Sequence, residues 1–193
     1  MKSTLRNMCL SLGVLVTASA AILAGVKNLT DEPIAEAARK ARLQAFTEVL
    51  GPFDNNPEDA SSVLADGTTV YRATLGNVPA GAAVEITAPQ GFSGPFSLMV
   101  GFAPDGSVKG YTVLAHSETP GLGAKMGAWF SDPSRPSRSI IGRTPDSGSP
   151  LAVSKDGGEV DAITGATITS RAFLQAINKA AEAYRKTQSP TAE

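Results

Sequence analysis

A chain of 193 residues is long enough for one ordinary domain and a short appendage. With 42% hydrophobic and 18% charged residues it can build a packed core, and its net charge of −1 offers no basic field for nucleic acid. One cysteine and one histidine exclude an internal disulfide and speak against a multi-Cys or His-rich metal centre, so redox chemistry here needs an organic cofactor.

Residues 8–26 carry no charge and are dominated by Leu, Val, Ala and Ile. At 1.5 Å rise per residue, a helix of about 19 residues covers about 28 Å, enough for a bilayer core. Lys2 and Arg6 precede the run, and Lys27 follows it before Asp31 and Glu32. The positive-inside rule keeps residues 1–7 as a cytoplasmic tail and exports everything from residue 28. A cleaved signal peptide competes, since Ala18-Ser19-Ala20 has the small-x-small form of a cleavage site. The apolar run exceeds an ordinary signal core, which favours an uncleaved anchor over residues 8–27. Lipoprotein processing fits poorly because Cys9 opens the apolar run instead of following it. Cys9 reads as an inert thiol of the membrane helix.

Beyond the anchor, residues 36–50 predict a helix, with Pro33 tolerated near its start and Gly51-Pro52 ending it. Residues 52–59 are a turn-rich connection. Short β segments follow at 68–74 and 84–87, then a clear pair at 96–102 and 108–115 around Pro104-Asp105-Gly106, a hairpin signal. Residues 117–150 are rich in Gly, Pro and Ser and predict an ordered but irregular stretch. The last helix spans 170–184, with Phe173, Ala176, Ile177, Ala180 and Tyr184 on one stripe. The sum is an α+β domain, an antiparallel sheet flanked by helices behind one amino-terminal transmembrane helix.

The run Asp161-Ala162-Ile163-Thr164-Gly165-Ala166-Thr167 leads straight into that helix. A helix start offers unpaired N–H groups and the positive end of the dipole, both suited to a phosphate. Gly165 and Ala166 allow close backbone approach, while Thr164, Thr167, Thr169 and Ser170 add hydroxyls. Plain N-capping explains the same residue types. A second feature, Glu118-Thr119-Pro120-Gly121-Leu122-Gly123, follows the best strand. It suits a fixed turn that presents backbone amides and the Leu122 side chain to a flat ring, although Pro-Gly alone predicts a tight connection. His116 reads as a strand-end histidine in an ordinary hydrogen bond, ahead of a proton relay. Lys155 is either a charge beside a bound phosphate or an exposed turn lysine. Trp129 reads as core, ahead of packing near a bound ring.

These motifs, with the anchor, Asp54-Asn55-Asn56-Pro57 and Gly91-Phe92-Ser93-Gly94-Pro95, resemble one family over nearly the whole chain. It is the FMN-binding G subunit of Rnf-type ion-translocating electron-transport complexes. The chain is similar, more distantly, to the C subunit of the sodium-pumping NADH:quinone reductase, and its length fits the Rnf family better. The most specific part matches the signature Asp-x-x-Ser/Thr-Gly-Ala-Thr/Ser, with Thr164 where Ser is commoner. The resemblance implies that Thr167 forms a phosphoester with FMN, installed by a separate flavin transferase using FAD and a divalent metal. The candidate cofactor contacts beside Thr167 are Thr164, Gly165 and Ala166 of the run, Glu118, Thr119, Gly121 and Leu122 of the second turn, and Lys155. Asp161 belongs to the signature, as an orienting group or as a residue read by the transferase.

The implied function is electron relay by one-electron steps in a complex that passes electrons between ferredoxin and NAD and moves Na⁺ or H⁺. Catalysis belongs to that assembly and not to this chain alone. The implied partners are the other membrane subunits, one of them also flavinylated. The implied location is the inner (cytoplasmic) membrane, single-pass, with the carboxy-terminal domain outside. The expected layout is a tail at 1–7, an anchor at 8–27, an FMN-binding domain at 28–187 and a polar tail at 188–193. Two other readings stay open: a stand-alone flavinylated extracytoplasmic carrier, and a non-redox anchored binding module whose Thr-rich turn only caps a helix.

Overall fold

A computed structural model describes residues 5–146 and 148–188. Residues 1–4 of the expected cytoplasmic tail and 189–193 of the expected polar tail lie outside the described residues. Helix α1 runs Leu5–Leu50 without a break. The sequence predicts an anchor and a separate second helix here, and one helix is found with Pro33 inside it. A proline removes a single intrahelical donor. Around it, Ala35, Ala37, Ala38 and Ala41 are the strongest helix formers, and Lys27 pairs with Asp31 one turn on at 2.5 Å. Up to Ala41 the chain forms a unit of its own. Its apolar part is exposed, and is long and apolar enough to cross a membrane.

The second unit begins at Arg42 and is built on a five-stranded antiparallel meander in the order β1 to β5. The strands are β1 Ser61–Val63, β2 Thr69–Leu75, β3 Val78–Ala88, β4 Phe96–Phe102 and β5 Val108–Ala115. Strands β2 and β3 join through Gly76 and Asn77, both at positive φ (61° and 62°), which fits the right-handed twist of a hairpin. The β4–β5 hairpin forms where predicted. Its Asp105 carboxylate accepts from the Ser107 amide (2.9 Å) and hydroxyl (2.7 Å), and Gly106 takes positive φ.

Alternation along the strands sends side chains to two buried faces. Ala82, Val84 and Ile86 of β3, paired with Phe102, Val100 and Leu98 of β4, meet the final helix α3, Thr167–Gln188. Tyr71, Ala73, Ala83 and Met99 face Ala45, Phe46, Val49 and Leu50 at the end of α1. The sheet is therefore the middle of three layers. Gly101 permits the close approach of α1, because a Cβ there would lie 2.1 Å from the Val49 carbonyl oxygen.

The irregular stretch after β5 contains a 3-10 turn at Gly123–Lys125 and the short helix α2, Met126–Trp129. It is tied back to β5, where the Val108 amide donates to Arg143 O (2.9 Å) and Gly142 N–H to Val108 O (2.8 Å). Helix α3 buries the expected stripe and starts at Thr167, three residues before the predicted bound.

All three tyrosines are hydrogen-bonded within this unit. Tyr71 donates to Glu85 (2.9 Å), Tyr111 to the Met126 carbonyl (2.6 Å) and Tyr184 to the Ala103 carbonyl (3.0 Å). Burial pushes Tyr111 up to about 12, and burial with the Glu85 charge does the same for Tyr71; Tyr184 is raised by burial too. The fold thus favours the neutral phenols. For Tyr71 and Tyr111 this contribution is complete below the unfolded tyrosine value of ~10 and is lost as pH rises toward about 12. Near-ultraviolet titration of the folded chain should show little tyrosinate at pH ~10.5, with a step increase on adding denaturant. A free-tyrosine titration curve in the native protein would contradict this packing.

Candidate functional site

The segment entering α3 is fixed by its own hydroxyls. The Ile163 amide donates to Ser170 Oγ (3.0 Å), and that hydroxyl donates to the Ala166 carbonyl (2.9 Å). Gly165 takes φ +79°, a conformation open to glycine at little cost, so the chain reverses sharply between buried Ile163 and Ala166. Upstream, the Asp161 carbonyl accepts from Trp129 Nε1 (2.9 Å), and its carboxylate accepts from Ser154 Oγ (3.3 Å). Trp129 is therefore half-buried against the motif, with the Arg138 guanidinium 3.7 Å above its ring centre.

Two cavities meet at this turn. One, of about 360 Å³, is lined by Phe92, Leu122 and Ile168 as apolar walls, with Thr119, Lys155 and Thr167 among its polar groups. The other, of about 310 Å³, lies among Trp129, Arg138, Ser154, Asp161 and Thr164. Lys155, Gly165 and Thr167 border both. Of the four hydroxyls in the run, Thr169 and Ser170 are fully buried and engaged. Among the described residues the Thr164 and Thr167 hydroxyls have no hydrogen-bond partner, and only Thr167 stands between the cavities.

Glu118 sits beneath the first cavity, 4% exposed. It accepts from the Thr169 hydroxyl (3.0 Å) and the Ser93 amide (3.2 Å), joining α3, the Gly91–Gly94 loop and its own loop. Gly91 and Gly123 make room for it, since a Cβ would come within 2.8 Å and 2.2 Å of its oxygens. Both carboxylate oxygens are thus already engaged inside the protein. Leu122 packs near Gly165 and lines the cavity, but its amide donates to Thr119 O (3.1 Å). The loop uses that amide, and the Ala124 amide, for its own closure, so it offers fewer free amides than its sequence predicts. Gly121 shapes the turn at φ +78° and lines neither cavity. His116 Nδ1 accepts from the Glu118 amide (3.1 Å), the ordinary strand-end role expected of it.

Thr119, Leu122, Lys155, Gly165, Ala166 and Thr167 thus converge on one cavity from three separate stretches of the chain, while Thr164 lines only the second. Sequence reasoning did not pick out Phe92 and Ile168 as walls. For Phe92 the available signal was an aromatic residue in a glycine-flanked turn, and it is 68% exposed. These residues fit a flavin nucleotide. An unengaged hydroxyl in the first turn of a 22-residue helix suits a phosphate, Lys155 supplies a cation, and the apolar walls suit a flat ring.

Residues 91–182, which hold every lining residue of both cavities, match the FMN-binding domain family. Full-length relatives are more specific. The chain is 35% identical over 192 residues to the G subunit of an ion-translocating oxidoreductase complex from Yersinia pestis, covering 94% of this chain and 90% of that protein. It is 36% identical to the corresponding proteins of Pseudomonas aeruginosa (193 residues, 93% and 87%) and Vibrio cholerae (196 residues, 94% and 91%). The chain belongs to this family, the G subunits of ion-translocating oxidoreductase complexes.

Proposed function

We propose that this chain is the electron-transfer subunit of a membrane complex that couples ferredoxin/NAD redox chemistry to Na⁺ or H⁺ translocation, and that it carries FMN as a phosphoester on Thr167. Family membership supports the complex and the flavin. One observation carries the attachment point: Thr167 is the hydroxyl of the run that borders both cavities with no protein partner among the described residues. Bound FMN supplies reversible electron transfer, and the protein tunes it through packing, hydrogen bonds and charge. Here Phe92, Leu122 and Ile168 would shield the ring, the α3 amides would hold the phosphate, and Lys155 would balance its charge. The charge order around residues 8–26 favours an inner-membrane anchor with the flavin domain outside.

The test is intact mass and in-gel fluorescence of denatured full-length chain, co-expressed with a flavin transferase and exported. A gain of ~438 Da, one FMN less one water, that survives denaturation is expected. Unchanged mass under those conditions would refute covalent attachment. A topology reporter fused after Glu193 tests orientation independently, and activity of a cytoplasm-only reporter would reverse it.

A further inference from the structure

The 3-10 turn Ser154–Asp156 carries Lys155 past Thr167. Behind, the turn is tied to its own strand-like neighbours: Ser154 N–H donates to Val160 O (2.8 Å) and Asp156 N–H to Val153 O (2.8 Å). In front, it meets α3 through one paired contact. Arg171 Nε and Nη2 each donate to a separate oxygen of Asp156 at 2.6 Å, a two-pronged fork. Arg171 lies four residues after Thr167, one helical turn along the same face. On the other side of Lys155, Ser154 Oγ donates to Asp161, the first residue of the attachment run (3.3 Å). Lys155 is thus flanked by two residues, one bonded to the start of that run and the other to α3 one turn past its end. Lys155 itself borders both cavities at Thr167.

We propose that Asp156 and Arg171 form a positioning pair that holds the Lys155 ammonium at the phosphate carried by Thr167. This rests on the reading of Thr167 as the attachment point. A phosphodiester at Thr167 keeps one negative charge, and lysine answers it as a compact cation with three donors. A lysine on a loose turn would lose backbone as well as side-chain freedom on reaching a phosphate, so a backbone already fixed from both sides lowers the cost of the contact. The Arg171 and Asp156 side chains are 45% and 40% exposed, so the pair adds little to stability. Its geometric effect on Lys155 is therefore separable from folding.

The test uses the full chain in detergent with FAD, Mg²⁺ and a flavin transferase, following the ~438 Da mass gain with time. Below saturation, Lys155→Gln should slow attachment about tenfold, and Asp156→Asn or Arg171→Gln about threefold each. Combining Asp156→Asn with Lys155→Gln should slow it no further than Lys155→Gln alone, because one acts through the other. The swap of Asp156→Arg with Arg171→Asp should recover the wild-type rate to within about twofold. On loaded chain, the phosphorus-31 resonance of the phosphoester should move in the same direction in Lys155→Gln and Asp156→Asn and return in the swap. A pair that only touched the transferase would leave that resonance unmoved. Wild-type rates in Asp156→Asn, or an equal slowing in the Lys155→Gln background, would overturn the positioning role while leaving the attachment point standing. A wild-type chain that gains no mass would remove the attachment reading itself, and this proposal with it.

Discussion

Thr167→Ala is expected to abolish covalent flavin completely while leaving the domain folded. The side chain is half-buried at the first position of α3, and among the described residues its hydroxyl has no partner. Alanine is tolerated there, so the stability change should stay within about 0.5 kcal/mol, as for substitutions away from cores and caps. The loss of flavin follows from chemistry, since alanine has no oxygen to carry a phosphate. Thr167→Ser restores the oxygen and should be flavinylated, more slowly if the methyl group helps fix the rotamer. The structure also narrows the alternatives. Thr169 is 0% exposed, and its hydroxyl is held by Glu118 at 3.0 Å, so it is not available to a transferase. Thr164 is exposed and lines the second cavity, which leaves it as the one competing site in the run. Peptide mapping of the denatured variant decides between them: flavin persisting in Thr167→Ala would place it on Thr164.

What could be read from sequence divides by the range of the interactions involved. The β4–β5 hairpin was legible because Pro104-Asp105-Gly106 acts locally, through an Asx-type turn and a positive-φ glycine. The stripe of α3 was legible because helical periodicity repeats every turn. The three-residue β1 was not, since so short a segment is a strand only through its pairing with β2. Pro33 misled for the opposite reason: a local breaker was outweighed by the alanine-rich run of good helix formers that follows it.

At the site, the motif around Thr167 and the Glu118-to-Gly123 loop were visible as separate features. That Glu118 bonds Thr169, 51 positions away, was not, and it separates one threonine from another better than residue type does. The Asp156–Arg171 fork is likewise invisible, because neither residue belongs to a motif and their pairing depends on where α3 starts. The predicted start at Ser170 would have left Thr167 in a loop. Placed inside the first helical turn, it stands among backbone N–H groups that can hold an anion.

Phe173→Ala should give the opposite pattern to Thr167→Ala, a large loss of stability with the attachment chemistry intact in whatever remains folded. Phe173 is 0% exposed. Its ring stacks on Phe130 at 4.5 Å and 15°, and meets Tyr111 edge-on at 4.8 Å and 70°. Removing a buried phenyl ring costs about 3–5 kcal/mol, from lost transfer energy and an unfilled cavity. For a domain near 150 residues that is a fall of roughly 10 °C in the thermal midpoint. The cavity would open beside Tyr111, whose hydroxyl receives the Phe130 amide (3.2 Å) and donates to the Met126 carbonyl (2.6 Å). Those bonds fix α2, and α2 ends on Trp129. Trp129 is the only tryptophan of the chain, so its fluorescence reports the unfolding directly. Phe173→Leu, which keeps most of the volume, should cost about 1 kcal/mol. A Phe173→Ala chain as stable as wild type would mean that α3 is not seated on this aromatic cluster, and then the position of Thr167 would need another cause. If the midpoint falls as expected and the folded fraction still takes up ~438 Da, the core that carries the threonine and the hydroxyl that carries the flavin are separable contributions to one site.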